Sequence, residues 1–222
     1  MMQRLLSKGI GHSAFKNSPL GEIPVDWEVV EFSNKLDIIS GFGFKKSDYS
    51  EKGFKLLRID NVGHGKIFWD SLVYIPFNFE KKYKNLVLKE GDILLALNRP
   101  ITRNKLKIGR VKKEDTPSIL YQRVGKIIVK ESYNYDFIYY LSSLLLLDFV
   151  KKTSIGSDQP FISLTQLRKL KLPLPPLPEQ QKIAEILSSM DTKIEVLEAK
   201  KVQYQELKKG LMQQLLTGKV RV

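Results

Sequence analysis

The feature that most constrains this chain is a proline-rich segment followed at once by a long run with helical apolar spacing. Four prolines fall within six residues: Pro173, Pro175, Pro176 and Pro178. Each proline lacks an amide donor and fixes φ, so this segment cannot continue a helix or a central strand. Pro178 suits the first turn of a helix, and Glu179 beside it favours the positive end of the helix dipole. The sequence therefore predicts a stiff, extended connector that projects a helix away from the preceding domain.

The predicted helix runs from about Pro178 to Leu216, and its apolar residues step by four, three, four and three before the phase shifts. That is the seam spacing of a coiled coil. At ~1.5 Å per residue such a helix is about 60 Å long, too long to cover one small domain. We therefore expect a short antiparallel helix pair in a homodimer, although a helix folded onto its own domain also shows apolar spacing. The predicted dimerisation residues are Ile183, Leu187, Met190, Ile194, Leu197, Tyr204 and Leu211.

The first 130 residues contain strand-like runs separated by turn signals, without regular strand–helix alternation. A doubly wound parallel sheet is therefore disfavoured. Helical patterns come later: Asp136 is predicted to cap a helix that ends at Lys152, and Ser163 with Gln166 has capping-box spacing. The sequence thus predicts an α+β head with a mixed sheet, followed by the long helix. The predicted strands are residues 27–32, 55–59, 67–69, 93–97, 108–111 and 125–130.

The charge of the chain is unevenly distributed. Its formal net charge is +13, of which residues 178–222 hold only +2, so +11 lies in the head. A basic head beside a near-neutral helix indicates binding to a polyanion. The alternative is a lysine-rich protein that is basic without a specific partner.

Cysteine is absent, which excludes disulfides and thiolate metal sites and fits a reducing cytosol. The first residues lack an apolar run of signal-peptide length. The most apolar run, residues 137–150, is too short for a membrane span. We therefore expect a cytoplasmic protein that does not enter a membrane.

Catalytic chemistry has little support in this sequence. His12 and His64 are the only histidines, and they lack metal-ligand spacing. The segment Gly41-Phe42-Gly43 lacks the third glycine of a nucleotide-binding loop. Neither an Asn-Pro-Pro-Tyr methyltransferase motif nor the spaced carboxylates and lysine of a common nuclease core is present. We expect no catalytic residue, metal site or cofactor in this chain.

Polar residues at the predicted turns suit contacts with DNA. Phosphate contacts need lysine and arginine, whereas base reading needs forked or amide side chains at loop tips. Three segments meet this requirement, and Gln122 with Arg123 is a weaker fourth; any one of these residues is equally compatible with a solvated surface charge. The predicted DNA-binding residues are Lys45, Lys46, Arg58, Asn61, His64, Lys66, Asn98, Arg99, Arg103, Asn104, Lys105 and Arg123.

Four segments resemble the DNA-specificity (S) subunits of type I restriction–modification enzymes. Residues 21–27, Gly-Glu-Ile-Pro-Val-Asp-Trp, resemble the start of a target-recognition domain, and residues 156–163 resemble its closing loop. Residues 172–190 and 207–218 resemble the conserved helical region of the family. The resemblance implies an N-terminal stub over 1–20, a target-recognition domain over 21–177 and a coiled-coil helix over 178–222. A standard member has two recognition domains and two such helices, so this chain resembles a half-length form.

The resemblance also implies a function: recognition of a double-stranded DNA sequence without catalytic activity. Its partners would be a restriction subunit and a modification (methyltransferase) subunit that binds S-adenosylmethionine. Two alternatives stay open. One is the specificity protein of a system in which restriction and methylation share one polypeptide. The other is an assembly scaffold that does not read DNA.

The two ends of the chain echo each other. Residues 2–7, Met-Gln-Arg-Leu-Leu-Ser, resemble residues 212–217, Met-Gln-Gln-Leu-Leu-Thr. If the echo is not chance, the stub resembles the tail of a preceding helix, and we expect it to lie near the end of a partner's long helix. The alternative is a frayed terminus.

Overall fold

The computed structural model describes residues 1–130, 133–153 and 160–217. Residues 156–159 of the expected closing loop and Gly218 lie outside the described residues. The helices are α1 (Met2–Lys8), α2 (Phe32–Lys35), α3 (Glu80–Tyr83), α4 (Tyr135–Thr153), α5 (Leu164–Arg168) and α6 (Leu177–Leu216). The strands are β1 (Phe15–Ser18), β2 (Gly21–Pro24), β3 (Glu28–Glu31), β4 (Leu36–Ser40), β5 (Phe54–Leu57), β6 (His64–Gly65), β7 (Tyr74–Ile75), β8 (Val87–Leu88), β9 (Ile93–Ala96), β10 (Ile101–Thr102), β11 (Lys105–Leu106), β12 (Ile108–Arg110), β13 (Ser118–Leu120), β14 (Val124–Val129) and β15 (Lys171–Leu174).

The largest sheet has the strand order β4-β14-β9-β12-β6. β12 and β6 are parallel, and the other neighbours are antiparallel, which confirms the predicted mixed sheet. All four residues of β9 are buried, as expected for a central strand covered on both faces. A second sheet, of order β7-β5-β13-β8, covers a smaller apolar cluster around Phe54.

Helix α4 packs its apolar residues onto the main core, to which α1, α2, α5 and α6 also contribute buried residues. Phe137 of α4, Trp27 and Phe32 are fully buried in this core. Leu6 of α1 is 1% exposed in the same core, and α1 contacts β2, α4 and α6. The stub is therefore docked on its own head, and a frayed terminus is wrong. Its position relative to a partner chain stays a prediction.

The proline connector differs from the prediction. Pro173 lies in β15, which pairs antiparallel with β3 so that Pro173 faces Val29. A two-stranded ribbon has open outer edges, and at such an edge the missing amide donor of a proline costs little. Leu172 and Leu174 are buried, so the connector is part of the head. The prediction that it projects the following helix away from the head is wrong.

Most predicted elements are confirmed. Strands β3, β5, β9, β12 and β14 match predicted runs, and Ser163 caps α5 by accepting a hydrogen bond from the amide of Gln166. The helix expected near Asp136 is α4, but the predicted cap is wrong: Asp136 lies in the first turn, and Asn134 Oδ1 accepts the hydrogen bond from the Phe137 amide at 2.9 Å. The run 67–69 is not a strand, since Ile67 makes only an isolated bridge with Val62. The hairpin β1–β2 crosses the expected boundary between residues 20 and 21. Among the described helices, none is long and apolar enough to cross a membrane.

Candidate nucleic-acid interface

Three loops meet at one edge of the main sheet. β14 runs antiparallel to both β4 and β9, so its start lies beside their ends. Gly125 faces Ser40 of β4, and Val124 faces Ala96 of β9. The loops that follow β4 and β9 and the turn that precedes β14 are therefore neighbours, although they are far apart in the sequence.

Backbone hydrogen bonds tie these loops together. The amide of Phe42 donates to the Leu120 carbonyl at 3.3 Å, and the amide of Gln122 donates to the Phe42 carbonyl at 3.0 Å. The amide of Leu97 donates to the Arg123 carbonyl at 2.9 Å. A Cβ at Gly41 would lie 2.3 Å from the carbonyl oxygen of Tyr121, so only glycine permits this close approach.

A fourth segment joins the same edge. The amide of Arg99 donates to the Pro160 carbonyl, and the amide of Ile162 donates to the Leu97 carbonyl, both at 2.8 Å. Phe161 is thereby held beside Asn98, with which it forms an isolated β-bridge. We call this surface the loop face; its residues are Phe42, Lys45, Asn98, Arg99, Gln122, Arg123 and Phe161.

The two arginines of the loop face have unusual backbone geometry. Arg99 has φ 45° and Arg123 has φ 67°, in the left-handed region that non-glycine residues seldom occupy. Within the described residues, the other non-glycine positions with positive φ are Arg103 and Asn104. All four are predicted DNA-binding residues. Arg103 and Asn104 form the two-residue loop of the β10–β11 hairpin, where positive φ is required at both positions. Arg99 and Arg123 lie at the loop face, and strained positions of this kind cluster at functional sites. Neither Arg99 nor Arg123 makes an ion pair with any described residue.

Lys45, which belongs to the loop face, and its neighbour Lys46 are both exposed. A carboxylate oxygen of Asp48 accepts a hydrogen bond from the Lys45 amide at 2.7 Å, which fixes the turn and leaves both ammonium groups in solvent. Lys82 lines the same cavity of about 550 Å³ as Lys45, together with Phe42 and Tyr83. The sequence prediction missed Lys82. The sequence feature that could have indicated it is an aromatic residue among lysines, in Lys81-Lys82-Tyr83-Lys84.

A second set of predicted residues lies elsewhere. His64, Lys66, Asn104 and Lys105 line a groove of about 930 Å³ between the head and α6, and Arg103 sits at the tip of the β10–β11 hairpin beside it. We call this the groove; the residues of α6 that face it include Ser188, Asp191, Thr192, Ile194, Glu195 and Glu198.

The charges of the groove are largely balanced. Lys66 Nζ lies 3.4 Å from Glu198 Oε2, and Lys112 Nζ lies 3.5 Å from Glu195 Oε1. The ring of His64 is held by the Leu106 carbonyl at 3.0 Å. The carboxylates of α6 repel a phosphate backbone, so the groove is a poorer DNA surface than the loop face.

The structure contradicts the prediction for Asn61. Its side chain is buried, Nδ2 donates to the Phe68 carbonyl at 2.7 Å, and Oδ1 accepts from the Arg58 amide at 2.8 Å. The amide therefore holds its own loop and has no free edge for a base. Arg58 is half-buried, and its Nη2 donates to Ser71 Oγ at 2.6 Å, so part of its guanidinium is already bonded within the head.

The motifs that carry the family resemblance meet at Glu179, in the first turn of α6. Its carboxylate accepts hydrogen bonds from Trp27 Nε1 at 2.9 Å and from the Ile10 amide at 3.0 Å, and lies 2.8 Å from His12 Nε2. One carboxylate thus joins the N-terminal segment, the start of the recognition domain and α6. This explains a carboxylate directly after the prolines without invoking catalysis.

The next residue, Gln180, is 1% exposed and also structural. Its Nε2 donates to the Pro175 carbonyl at 2.9 Å, and its Oε1 accepts from the Asn134 amide at 3.2 Å. The Glu-Gln pair therefore fixes the connector, α4 and α6 to one another.

A third polar contact fixes α6 to α4. The hydroxyl of Tyr140 donates to Asp191 Oδ2 at 2.6 Å. Burial raises the pKa of Tyr140 to about 12, and the hydrogen bond to Asp191 adds to this rise. The guanidinium of Arg110 lies 4.4 Å from the ring centre of Tyr139 and pairs with Asp136, which joins β12 to α4.

The predicted dimerisation residues fall into three groups by burial. Ile183 and Leu187 are 0% and 3% exposed in the core of their own head, so the prediction that they pair with another chain is wrong. Met190 is partly buried against the same core. The remaining four are exposed and available: Ile194, Leu197, Tyr204 and Leu211.

Comparison with known proteins follows the same motifs. A family model described as the type I restriction modification DNA specificity domain matches residues 24–206. The chain belongs to this family. It is 49% identical to the type I restriction enzyme MjaVIII specificity subunit of Methanocaldococcus jannaschii, covering 100% of this chain and 53% of that protein. It is 31% identical to the EcoAI specificity subunit of Escherichia coli, over 78% of this chain and 29% of that protein.

Solved structures share the fold. A chain from a type I R-M system superposes with a TM-score of 0.66 at 18% identity, covering 91% of this chain and 47% of that chain. The HsdS subunit from Thermoanaerobacter tengcongensis gives a TM-score of 0.57 at 18% identity, over 88% and 44%. The chain spans about half the length of the Methanocaldococcus jannaschii relatives. Among the described residues, no group of three or more His, Cys, Asp or Glu is placed to hold a metal ion.

Proposed function

We propose that this chain is the DNA-recognition module of a type I restriction–modification system and has no catalytic activity of its own. It selects a short double-stranded sequence for a modification subunit, which binds S-adenosylmethionine, and for a restriction subunit, in the cytoplasm. The loop face carries this proposal. On a domain of the specificity family, it joins unpaired arginines, free amides and exposed phenylalanines at one rigid edge of the sheet.

Charge favours the loop face over the groove. Unpaired cations release counterions when they meet phosphates, whereas a lysine already paired with a carboxylate gains less. Among the described residues, no carboxylate pairs with the side chain of any of the four cations on this side: Arg99, Arg123, Lys45 and Lys46. In the groove, by contrast, the ammonium group of Lys66 faces the carboxylate of Glu198. We therefore place the DNA on the loop face.

Two double variants that each remove two positive charges test this placement. Arg99→Gln with Arg123→Gln should weaken DNA binding and lower the salt slope by about two phosphate contacts. The matched control, Lys66→Gln with Lys105→Gln, removes the same charge from the groove and should leave affinity within about twofold. The measurement is affinity for duplex DNA against salt concentration, with the methyltransferase subunit present. The reverse ranking would move the DNA to the groove.

Mapping the methylated bases tests the function itself. Co-expression with a type I methyltransferase subunit that assembles with this chain should methylate one defined sequence, and loss of a base contact from the loop face should relax one position by ~1–3 kcal/mol. An unmethylated genome together with salt-insensitive DNA binding would favour the scaffold alternative. Co-purification of one fused restriction–methylation polypeptide would favour the related system instead.

The exposed half of α6 supports a second element of the proposal. Ile194, Leu197, Tyr204 and Leu211 are 51–70% exposed, and an apolar face of this kind needs a partner. We propose that two chains pair antiparallel along this half. A symmetric pair presents two identical heads, so the target is an interrupted palindrome. Sedimentation of the wild type at micromolar concentration, with and without the methyltransferase, measures the pairing, and a strict monomer in both would exclude it.

A further inference from the structure

Two phenylalanines of the loop face leave much of their surface in solvent, although the Phe42 ring also packs against Phe44 of the smaller apolar cluster. Phe161 is 61% exposed and Phe42 is 43% exposed, and both line one notch of about 460 Å³. Removing such a ring from water stabilises by ~1.5–3 kcal/mol. A ring that is exposed at a binding surface can therefore contribute to the affinity for a ligand. Besides these two rings, the polar lining of the notch includes Asn98, Gln122 and Arg123.

Both rings are held rigidly. The backbone of Phe42 is fixed on two sides, by its amide bond to Leu120 and by its carbonyl, which accepts from Gln122. Its ring also lies 4.7 Å from that of Tyr83. Phe161 is flanked by the two 2.8 Å bonds that tie its neighbours to the segment of Leu97 and Arg99. A rigid surface loses little conformational entropy on binding, which favours selective recognition.

The same notch holds two amides that are free to act. No described residue makes a hydrogen bond with the side chain of Asn98. The side-chain amide of Gln122 has only a 3.4 Å contact to the Tyr121 hydroxyl. In the major groove, asparagine and glutamine pair with N6 and N7 of adenine, whereas phenylalanine suits the C5-methyl group of thymine. An A·T base pair presents both features side by side.

We propose that the notch reads one A·T base pair in the major groove, with a phenylalanine ring against the thymine methyl group and an amide on the adenine edge. This inference rests on the proposed function, and it assigns base reading to the phenylalanines and amides of the notch rather than to the arginines. Arg99 and Arg123 flank the notch and supply the cationic contacts of the loop face.

The test uses the full chain in complex with the methyltransferase subunit and its mapped target duplex. Each thymine in turn is replaced by uracil, which removes only the C5-methyl group. The wild type should lose affinity about fourfold at one position, the factor expected for burial of a single methyl group. In Phe161→Ala or Phe42→Ala, thymine and uracil should bind equally at that position, as a double-mutant cycle requires for a direct contact.

The amide contact has its own readout. Replacing the paired adenine with 7-deazaadenine removes N7 and should weaken binding in the wild type. That loss should disappear in either Gln122→Ala or Asn98→Ala, which identifies the reading amide. If the loss persists in both variants, the amide part of the proposal is overturned.

Controls separate failure of this inference from failure of the proposed function. Phe15→Ala removes an exposed ring from the β1–β2 hairpin and should keep full thymine–uracil discrimination. Thermal melting of each variant checks folding, and Phe161→Leu supplies a milder change if Phe161→Ala melts early. A wild type that binds its target but ignores every uracil, or variants that keep the discrimination, would overturn the inference. A wild type without any sequence preference would instead overturn the proposed function.

Discussion

The two halves of helix α6 have similar apolar spacing and opposite surroundings. In the first half, Ile183 and Leu187 are fully buried against the head. In the second half, Leu197 and Tyr204 are 64% and 70% exposed, and every described residue from Asp191 onward is exposed. Apolar periodicity thus shows that a helix has a face to bury, but it does not show which body covers that face.

Polar contacts mark the difference better than the apolar ones. The first half has Glu179, Gln180 and Ser188 bonded to the head, and Asp191 ends this zone with its bond to Tyr140. Beyond it, the contacts of α6 with the head are the exposed ion pairs of Glu195 and Glu198. Exposed pairs contribute ~0–1 kcal/mol, so the second half adds little to the stability of the head.

The largest expected effect is a charge in the buried half. Leu187→Glu places a carboxylate among apolar side chains without a partner and should lower the free energy of unfolding by more than ~3 kcal/mol. Leu197→Glu is the matched change in the exposed half and should stay within ~0.5 kcal/mol. Urea unfolding followed by circular dichroism measures both. Equal losses of unfolding free energy in the two variants would contradict the claim that only the first half of α6 is buried against the head.

A smaller effect is expected at the junction carboxylate. Glu179→Gln keeps one acceptor oxygen and replaces the other by a donor, so either the Trp27 indole or the pair of Ile10 and His12 loses its acceptor. Leaving such a group unpaired costs ~1–3 kcal/mol. Glu195→Gln, whose carboxylate makes an exposed ion pair, is the control and should be nearly neutral. An unfolding curve of Glu179→Gln that overlays the wild type would remove the junction role.

The contact between Tyr140 and Asp191 adds a pH dependence. Because the folded pKa of Tyr140 is raised to about 12, above the ordinary value of 10.0, the neutral hydroxyl stabilises the folded state. This stability is complete below pH 10 and is lost as the pH rises through 12. Tyr140→Phe should cost ~1 kcal/mol at pH 8. The difference between the two proteins should vanish near pH 11, and a constant difference across this range would contradict the assignment.

The smallest effect on the head is expected from the exposed face. Ile194→Glu with Leu197→Glu should leave the melting temperature of the head unchanged and abolish self-association at micromolar concentration. Sedimentation and thermal melting of the same sample give both results. A double variant that melts early, with association unaffected, would mean that this face serves the head after all.

The sequence predicted most of the secondary structure, because the strands and helices depend on local patterns such as the Ser163 cap. It failed at the connector, where tertiary pairing with β3 made a strand out of a proline-containing segment. It also failed at Asn61 while proposing Asn98. The two are the same residue type at similar turns, and only the fold shows that the amide of Asn61 is already bonded to the Phe68 carbonyl.

The notch was beyond sequence reasoning for a related reason. Phe42 and Phe161 are far apart along the chain and meet only because β4, β9 and β14 are neighbours in the sheet. Whether an aromatic ring is exposed also depends on the tertiary structure, because an exposed phenylalanine and a buried one cannot be distinguished from the local sequence.

Photo-crosslinking tests the central claim, that the loop face reads the DNA, most directly. The mapped target duplex, carrying 4-thiothymidine in place of each thymine in turn, is irradiated in complex with the full chain and the methyltransferase, and the crosslinked peptides are identified by mass spectrometry. The account predicts crosslinks to residues 42–46, 98–99, 122–123 and 161. Crosslinks confined to residues 64–66 and 103–105, or to α6, would contradict it.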